Sequence, residues 1–308
     1  MTCLSIIKSA PGGRLPALLL LALLLRAAPA AAQDDLLRQL EQQAADSTAP
    51  DFATATFKGT RIVNGHSVET PPGRTLVFLI GHRFGTLNSG AYNLFGLDQA
   101  TIRLGLEYGL TDRLALGAGR SSLDKTYDAF LKYKLLRQHT GPRATPVTVT
   151  LMAASTLNTL KYSTGADRKL GTRLAYAYQA LVARKFSPGL SVQLMPTLVH
   201  RNLVPRTTDD HDVLALGGAV RQKLTRRLAL TAEYYYVLSE QAAAQGRNPL
   251  ALGFDIETGG HVFQLHLTNA QAMVEPLFLP RTAGDFFDGD IYFGFNISRS
   301  FATGRLRE

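Results

Sequence analysis

The chain has 308 residues, of which 45% are hydrophobic and 19% charged, and its formal net charge is +9 at pH 7. This hydrophobic content excludes a chain that is disordered throughout, and no dense basic run with interleaved aromatics indicates a nucleic-acid-binding protein. Cys3 is the single cysteine, which excludes a disulfide framework and a cysteine-based metal site.

The first 32 residues have the organisation of an export signal. Two basic residues precede an apolar run at 15–25, and an Ala-x-Ala site follows that ends at Ala32. We therefore predict a signal peptide at 1–32 and export through the Sec pathway; the alternative is an N-terminal anchor helix. Cleavage removes three basic residues and no acid, so the mature chain carries +6 (9 − 3).

Residues 33–52 are predicted to form a short periplasmic segment before the main domain. Three leucines share one side of a short helix between Gln33 and Asp46, and two acids lie in its first turn, where the helix dipole favours them. The segment is either a mobile leader or a helix that docks on the domain or on a partner. The domain itself is assigned to residues 53–308.

The stretch from Thr101 to Gly119 has the period of two that is typical of β-strands. Leu104 and Leu106 alternate with Arg103 and with small residues, and a tight turn is expected near the middle. Each arm has about nine residues, close to the ~9–11 that cross a bilayer as a tilted strand. An apolar face opposite a face of glycines and a few charges indicates a barrel with lipid outside and a polar lumen.

The same alternation recurs along the chain and predicts about twelve strands, with no helix-period segment after residue 50. Tyr234, Tyr235 and Tyr236 cluster near a strand end, where interfacial aromatics are expected. Residues 269–289 are predicted to be irregular. Besides the two arms of the 101–119 hairpin, the predicted strands are 57–64, 75–84, 126–137, 147–154, 172–186, 190–198, 213–224, 227–238, 261–268 and 290–301.

These strands favour an all-β fold, an antiparallel transmembrane β-barrel, because only a closed barrel pairs every backbone group of a sheet in lipid. The last strand places Phe293, Phe295 and Ile297 on one face and resembles the closing strand of outer-membrane proteins. In those proteins a terminal aromatic serves as an assembly signal, whereas here Phe301 is followed by a short tail. The expected partners are outer-membrane lipid and the outer-membrane assembly machinery.

Several stretches together resemble the DUF5777 family of uncharacterised β-barrel proteins from Bacteroidetes. The resemblance spans nearly the whole mature chain; it implies an outer-membrane barrel and no catalytic residue. The stretches are Phe57–Thr70, Gly81–Gly85, Gly119–Ser122, Lys125–Asp128, Lys132–Lys134, Glu257–Leu265 and Phe295–Arg299.

Seven charged residues are predicted to face the lumen. They could line a polar channel that selects by charge, or they could form a neutralising network that fills a narrow barrel. The residues are Arg83, Arg103, Glu107, Arg120, Asp128, Lys132 and Lys134.

The predicted function is passage or binding of a small solute, with a preference for anions from the basic balance, and without enzyme activity, cofactor or metal. One alternative is a lipid-modifying enzyme that uses Ser121 or Ser122 with His82 and an acid, Asp124 or Asp128, although no Gly-x-Ser-x-Gly motif is present. Another alternative is a soluble periplasmic β-barrel that binds a ligand.

Overall fold

The computed structural model describes residues 50–141, 143–161 and 169–303. The predicted signal peptide, the predicted helix at 33–46 and the end of the C-terminal tail lie outside the described residues. Among the residues described, no helix is long and apolar enough to cross a membrane.

Twelve antiparallel strands form a closed barrel, as the alternation predicts. Two further strands, β1 and β6, form a short ladder of their own. Barrel strands that follow one another in the chain pair with each other, and β14 pairs with β2 to close the cylinder. The strands are β1 (Asp51–Phe52), β2 (Thr75–Thr86), β3 (Ala100–Gly109), β4 (Leu114–Ser121), β5 (Thr126–Leu136), β6 (His139–Thr140), β7 (Thr148–Asn158), β8 (Leu174–Lys185), β9 (Leu190–Arg201), β10 (Asp212–Lys223), β11 (Leu228–Val237), β12 (Leu250–Thr258), β13 (His261–Thr268) and β14 (Tyr292–Ala302).

The two faces of each strand have different surroundings, as β3 illustrates. Ile102, Leu104 and Leu106 are 40%, 46% and 50% exposed on the outside, whereas Arg103 and Glu107 are 2% exposed on the inside. Large apolar side chains that point outward all around a closed sheet are stable in lipid and not in water. The outer surface therefore contradicts a soluble periplasmic barrel.

The predicted strand count is right, but two of the assignments behind it are wrong. Residues 57–64 do not join the sheet, although Asn64-Gly65 does form a tight turn, with the Ile62 N–H donating to the Gly65 carbonyl at 2.9 Å. Strand β12 (Leu250–Thr258), by contrast, is missing from the predicted strands. Its alternation of Leu252 and Phe254 with Ala251 and Asp255 is as regular as that of its neighbours, so the signal was present in the sequence.

The connections at the two ends of the barrel differ in length. One end has tight turns at 110–113, 186–189, 224–227 and 259–260 and one longer connection between β5 and β7. The other end has longer loops at 87–99, 202–211, 238–249 and 269–291 and one short turn between β4 and β5. Three of the tight turns contain a Ser or Thr hydroxyl that accepts hydrogen bonds from main-chain N–H groups two and three residues later. In outer-membrane barrels the short turns face the periplasm, so we name the ends accordingly.

Polar side chains line most of the lumen, and β8 to β11 add a cluster of apolar ones, here named the apolar sector. Inward-facing residues of β8 to β11 include Leu181, Met195, Val199 and Tyr235, all fully buried. Two short helices lie in the outer loops: α1 (Glu240–Gln245) and α2 (Glu275–Arg281). The second helix belongs to the loop at 269–291. This loop folds down into the barrel, and the name "the outer loop" is kept for it alone. Its Leu277, Phe278 and Leu279 pack on the apolar sector. The prediction of an irregular stretch at 269–289 is therefore right except for this short helix.

Replacing Leu104 with Arg tests the assignment of the outer face. An Arg near the bilayer midplane of a barrel costs about 2–4 kcal/mol, so the variant should show a reduced folded fraction in membranes by heat-modifiable gel mobility. Ala244→Arg, on the exposed helix α1, is the matched control and should assemble normally. Normal assembly of the Leu104 variant would contradict the assignment.

Candidate functional site: the filled lumen

Six of the seven charges predicted to face the lumen are buried at inward-facing positions. They are Arg83, Arg103, Glu107, Asp128, Lys132 and Lys134.

Arg120 does not lie in the lumen, contrary to our prediction. It is exposed on the outer face of β4, where its guanidinium lies 5.6 Å from the centre of the Tyr127 ring. The parity of β4 explains the error, since Leu116 and Ala118 point outward and Arg120 follows them in the same phase. A cation stacked on an aromatic ring near a strand end suits the membrane interface.

The lumen is occupied by residues 56–70, here named the plug segment. Phe57, Ile62, Val63 and Val68 are each no more than 3% exposed. Apolar side chains on the outer face of the barrel are exposed, so these four lie inside it. The tip of the segment approaches the wall so closely that a Cβ on Gly65 would lie 2.0 Å from the hydroxyl of Tyr235. Only glycine fits at that point of the turn.

Glu233 on β11 binds the tip of the plug segment. Its carboxylate accepts hydrogen bonds from three consecutive main-chain N–H groups, those of Val63 at 3.2 Å, Asn64 at 3.0 Å and Gly65 at 3.1 Å. Buried peptide groups require partners, and this segment has no neighbouring strand to supply them. A single ionised side chain supplies them instead, through charge-assisted bonds.

Lys132 on β5 plays the complementary role on the other side of the lumen. Its fully buried ammonium donates to the main-chain carbonyls of Thr60 at 3.0 Å, Ser67 at 3.0 Å and Glu69 at 3.1 Å. The three donors of an ammonium match three carbonyl acceptors, so the charge is solvated by the plug segment.

Neutral side chains from the wall satisfy more of the plug backbone. Gln193 on β9 accepts from the Val68 N–H at 2.7 Å and donates to the His66 carbonyl at 2.8 Å. Three further donors reach plug carbonyls: Thr150 to Val68 at 2.8 Å, Gln264 to Ile62 at 2.7 Å and Asn296 to Val63 at 3.0 Å.

Two further pairs of opposite charge lie in the lumen, whereas Arg83 donates to the neutral side-chain oxygen of Asn64 at 2.9 Å. Arg103 donates from Nε to Oδ1 of Asp128 at 2.9 Å, and Lys134 lies 3.4 Å from Glu69. Glycine on the inner face of β4 leaves room for the Arg103 guanidinium, because a Cβ at Gly119 would lie 2.4 Å from Nη2 of Arg103. Of the two arrangements that the sequence left open, the structure has the filled, neutralised lumen.

The outer loop and the plug segment meet inside the barrel. Glu275, the first residue of α2, lies 3.7 Å from Arg61 and accepts a hydrogen bond from the His66 N–H at 3.3 Å. Arg61 also donates to the Met273 carbonyl at 3.4 Å. The two segments therefore close the lumen as one connected unit.

The residues of the predicted serine site are not brought together. Ser121 is buried on the lumen side, and Asp128 is engaged by Arg103. His82 lies on the outer face, stacked on Phe295 with ring centroids 4.9 Å apart. Ser122 accepts a hydrogen bond from the Ile102 N–H, and Asp124 pairs with Arg281.

Glu233, Gln193 and Glu275 bind the plug segment and were not among the predicted site residues. The alternation of β11 does place Glu233 inward among Ala229, Thr231 and Tyr235, so an inward acid was detectable. The partner of Glu233, the plug backbone, was not detectable, because nothing local in the sequence indicates that residues 56–70 enter the lumen.

The family model for the membrane bound beta barrel domain (DUF5777) matches residues 57–301. The chain belongs to this family. The match begins inside the plug segment, so the DUF5777 domain of this chain includes most of the plug as well as the wall. No curated protein matches the chain.

Solved structures with similar folds are porins and channels of low sequence identity to this DUF5777 barrel. The NanC porin is 10% identical with a TM-score of 0.45, covering 73% of this chain and 98% of its own. The KdgM porin in complex with disordered oligogalacturonate is 7% identical with a TM-score of 0.44, covering 73% and 99%. An outer membrane channel from Pseudomonas putida F1 is 16% identical with a TM-score of 0.43, covering 75% and 97%.

Replacing Glu233 with Gln tests the anchor of the plug. The amide is isosteric but leaves buried N–H groups poorly paired, at a cost of about 2 kcal/mol, so opening should increase about thirtyfold. The readout is the rate of maleimide labelling of Ser67→Cys, a buried plug residue, in a chain that starts at Gln33 and has no other cysteine.

Glu240→Gln, on the exposed helix α1, is the matched control and should leave the labelling rate unchanged. Equal labelling rates in the Glu233 variant and the parent would show that the carboxylate does not hold the plug.

Proposed function

We propose that this protein is an outer-membrane barrel for the passage of a small solute, closed in the present conformation by its plug segment. The observation that carries the proposal is how the plug is held. Side chains of the wall bind it, through Glu233, Lys132 and Gln193, and it shares no strand pairing with the sheet. Such a segment can leave without opening the barrel.

The composition of the wall supports a conformation with a hydrated lumen. A permanently filled interior is stabilised as well or better by apolar residues, because buried charges lose their hydration. Here the wall facing the plug carries Lys132, Glu233, Arg83 and several amides and hydroxyls. These groups would be solvated by water once the segment withdraws, as in the polar lumen of an open pore.

The plug segment is connected to β2 at the periplasmic end, so it withdraws towards the periplasm. The basic balance of the mature chain favours anions among the solutes. Export by the Sec pathway and insertion by the outer-membrane assembly machinery are part of the same proposal, supported by the signal-like N-terminus and by the apolar outer face of β14. We propose no catalytic role, since the serine, histidine and acid that sequence offered lie apart.

Conductance across planar bilayers tests this function. The full chain should show little current, whereas a chain lacking residues 56–70 should form a conducting pore. The polar wall becomes hydrated without the plug, and the outer loop, which packs on the apolar residues of β8 to β11, loses the Arg61 and His66 contacts that connect it to the plug. A chain that starts at Pro50 and keeps the plug is the control and should stay closed.

Heat-modifiable mobility would establish that the deletion variant is a folded barrel. A folded barrel without the plug that still fails to conduct in a range of salts would contradict the proposal, as would open-pore current from the full chain.

A further inference from the structure

A cavity of about 660 Å³ lies at the outer end of the barrel, on the outer side of the filled lumen; we name it the outer cavity. The outer ends of β7, β8 and β9 form its sides, and Pro276 and Leu277 of α2 contribute to its lining. Its volume is within the range of pockets that hold small organic ligands, and is far larger than a single inorganic ion requires.

The lining of the outer cavity includes basic side chains. Arg201 and Arg281 contribute to it together with one acid, Asp124. Asp124 is engaged by Arg281 at 2.6 Å, so its charge is compensated within the lining.

Among the residues of the lining, Arg201 is the best placed to donate hydrogen bonds to an anion. Its side chain is only 8% exposed, and its Nη2 donates to the neutral main-chain carbonyl of Asp210. Its Nε meets no acceptor among the described residues. The carboxylates of Asp209 and Asp210 lie close enough to interact with Arg201 electrostatically, but their described hydrogen bonds are to the main-chain N–H groups of Arg206 at 3.2 Å and Ala242 at 3.1 Å. A guanidinium whose described bond is to a neutral carbonyl is suited to bind a carboxylate or another oxyanion.

The lining also includes apolar residues. Leu203, Val204 and Pro205 come shortly after β9, and Pro276 and Leu277 belong to α2, which forms the floor towards the filled lumen. Residues of this kind contribute binding free energy by burying hydrocarbon, and they offer no partner to a second charge.

We propose that the outer cavity binds a small organic anion with an apolar body. The anionic head binds Arg201, and the body packs against the apolar residues at 203–205 and the α2 floor. The proposal deepens the proposed function, because it treats the cavity as the outer mouth of the solute pathway. The floor residue Pro276 directly follows Glu275, which contacts the plug segment, so the bound solute would rest on the helix that helps to close the lumen.

Hexanoate is the probe, titrated calorimetrically into the barrel in lipid nanodiscs, with empty nanodiscs subtracted. Acetate has the head without the body, and 1-hexanol has the body without the charge. Hexanoate should bind saturably, and both comparators should bind at least about tenfold more weakly, since each lacks one of the two interactions.

Two variants assign the site. Arg201→Gln should weaken hexanoate binding about tenfold through loss of the ionic partner, whereas Arg226→Gln, the same charge change in a periplasmic turn, should not. Leu203→Ser should weaken hexanoate binding and leave acetate binding unchanged. This second variant keeps the test independent of any folding defect in the Arg201 variant.

Equal affinity for hexanoate and acetate, or unchanged binding in both cavity variants, would overturn the proposal. The result of the binding test can be told apart from the result of the conductance test. A barrel that binds hexanoate in this way but never conducts would uphold the site and reject solute passage, and a conducting barrel that does not bind it would reject the site alone.

Discussion

The carboxylate of Glu233 and the three main-chain N–H groups of residues 63–65 form the interaction on which the interior depends. A chain segment inside a barrel cannot complete its hydrogen bonds with a neighbouring strand, since the wall strands already pair with each other. Fixing the tip at Glu233 places Gly65 against Tyr235. It also positions the carbonyls of residues 60, 67 and 69 around Lys132 on the opposite wall.

Apolar contacts and directed hydrogen bonds have different roles in the lumen. The apolar side chains of β8 to β11 pack against the outer loop and against the apolar side chains of the plug segment. Polar side chains of the wall, including Glu233 and Gln193 on the same strands, bind the plug backbone through directed hydrogen bonds. Glu275 joins the two segments, since its own helix packs on the apolar sector and its carboxylate reaches Arg61 and the His66 N–H. Closure is therefore achieved by parts of the chain that can move without breaking the wall.

The wall could be read from the sequence because it depends on a local rule, the period of two. That rule placed Leu104 outside and Arg103 inside, and applied consistently it would also have placed Arg120 outside and found β12. The interior could not be read in the same way. Residues 57–64 have apolar residues and a turn dipeptide, as a wall strand does, and only their distant partners show that they lie in the lumen. The two prolines of α2 concealed a helix that tertiary packing stabilises.

Hydrogen–deuterium exchange of the intact protein in lipid nanodiscs shows directly whether residues 56–70 lie bonded inside the barrel. The N–H groups of residues 63–65 and of Val68 donate to wall side chains, so their exchange reports plug opening while the barrel strands stay protected. We expect slow exchange at these amides, far below the rate of an unstructured peptide. Exchange at the free-peptide rate, with the barrel strands still protected, would show that the plug is not held in the lumen.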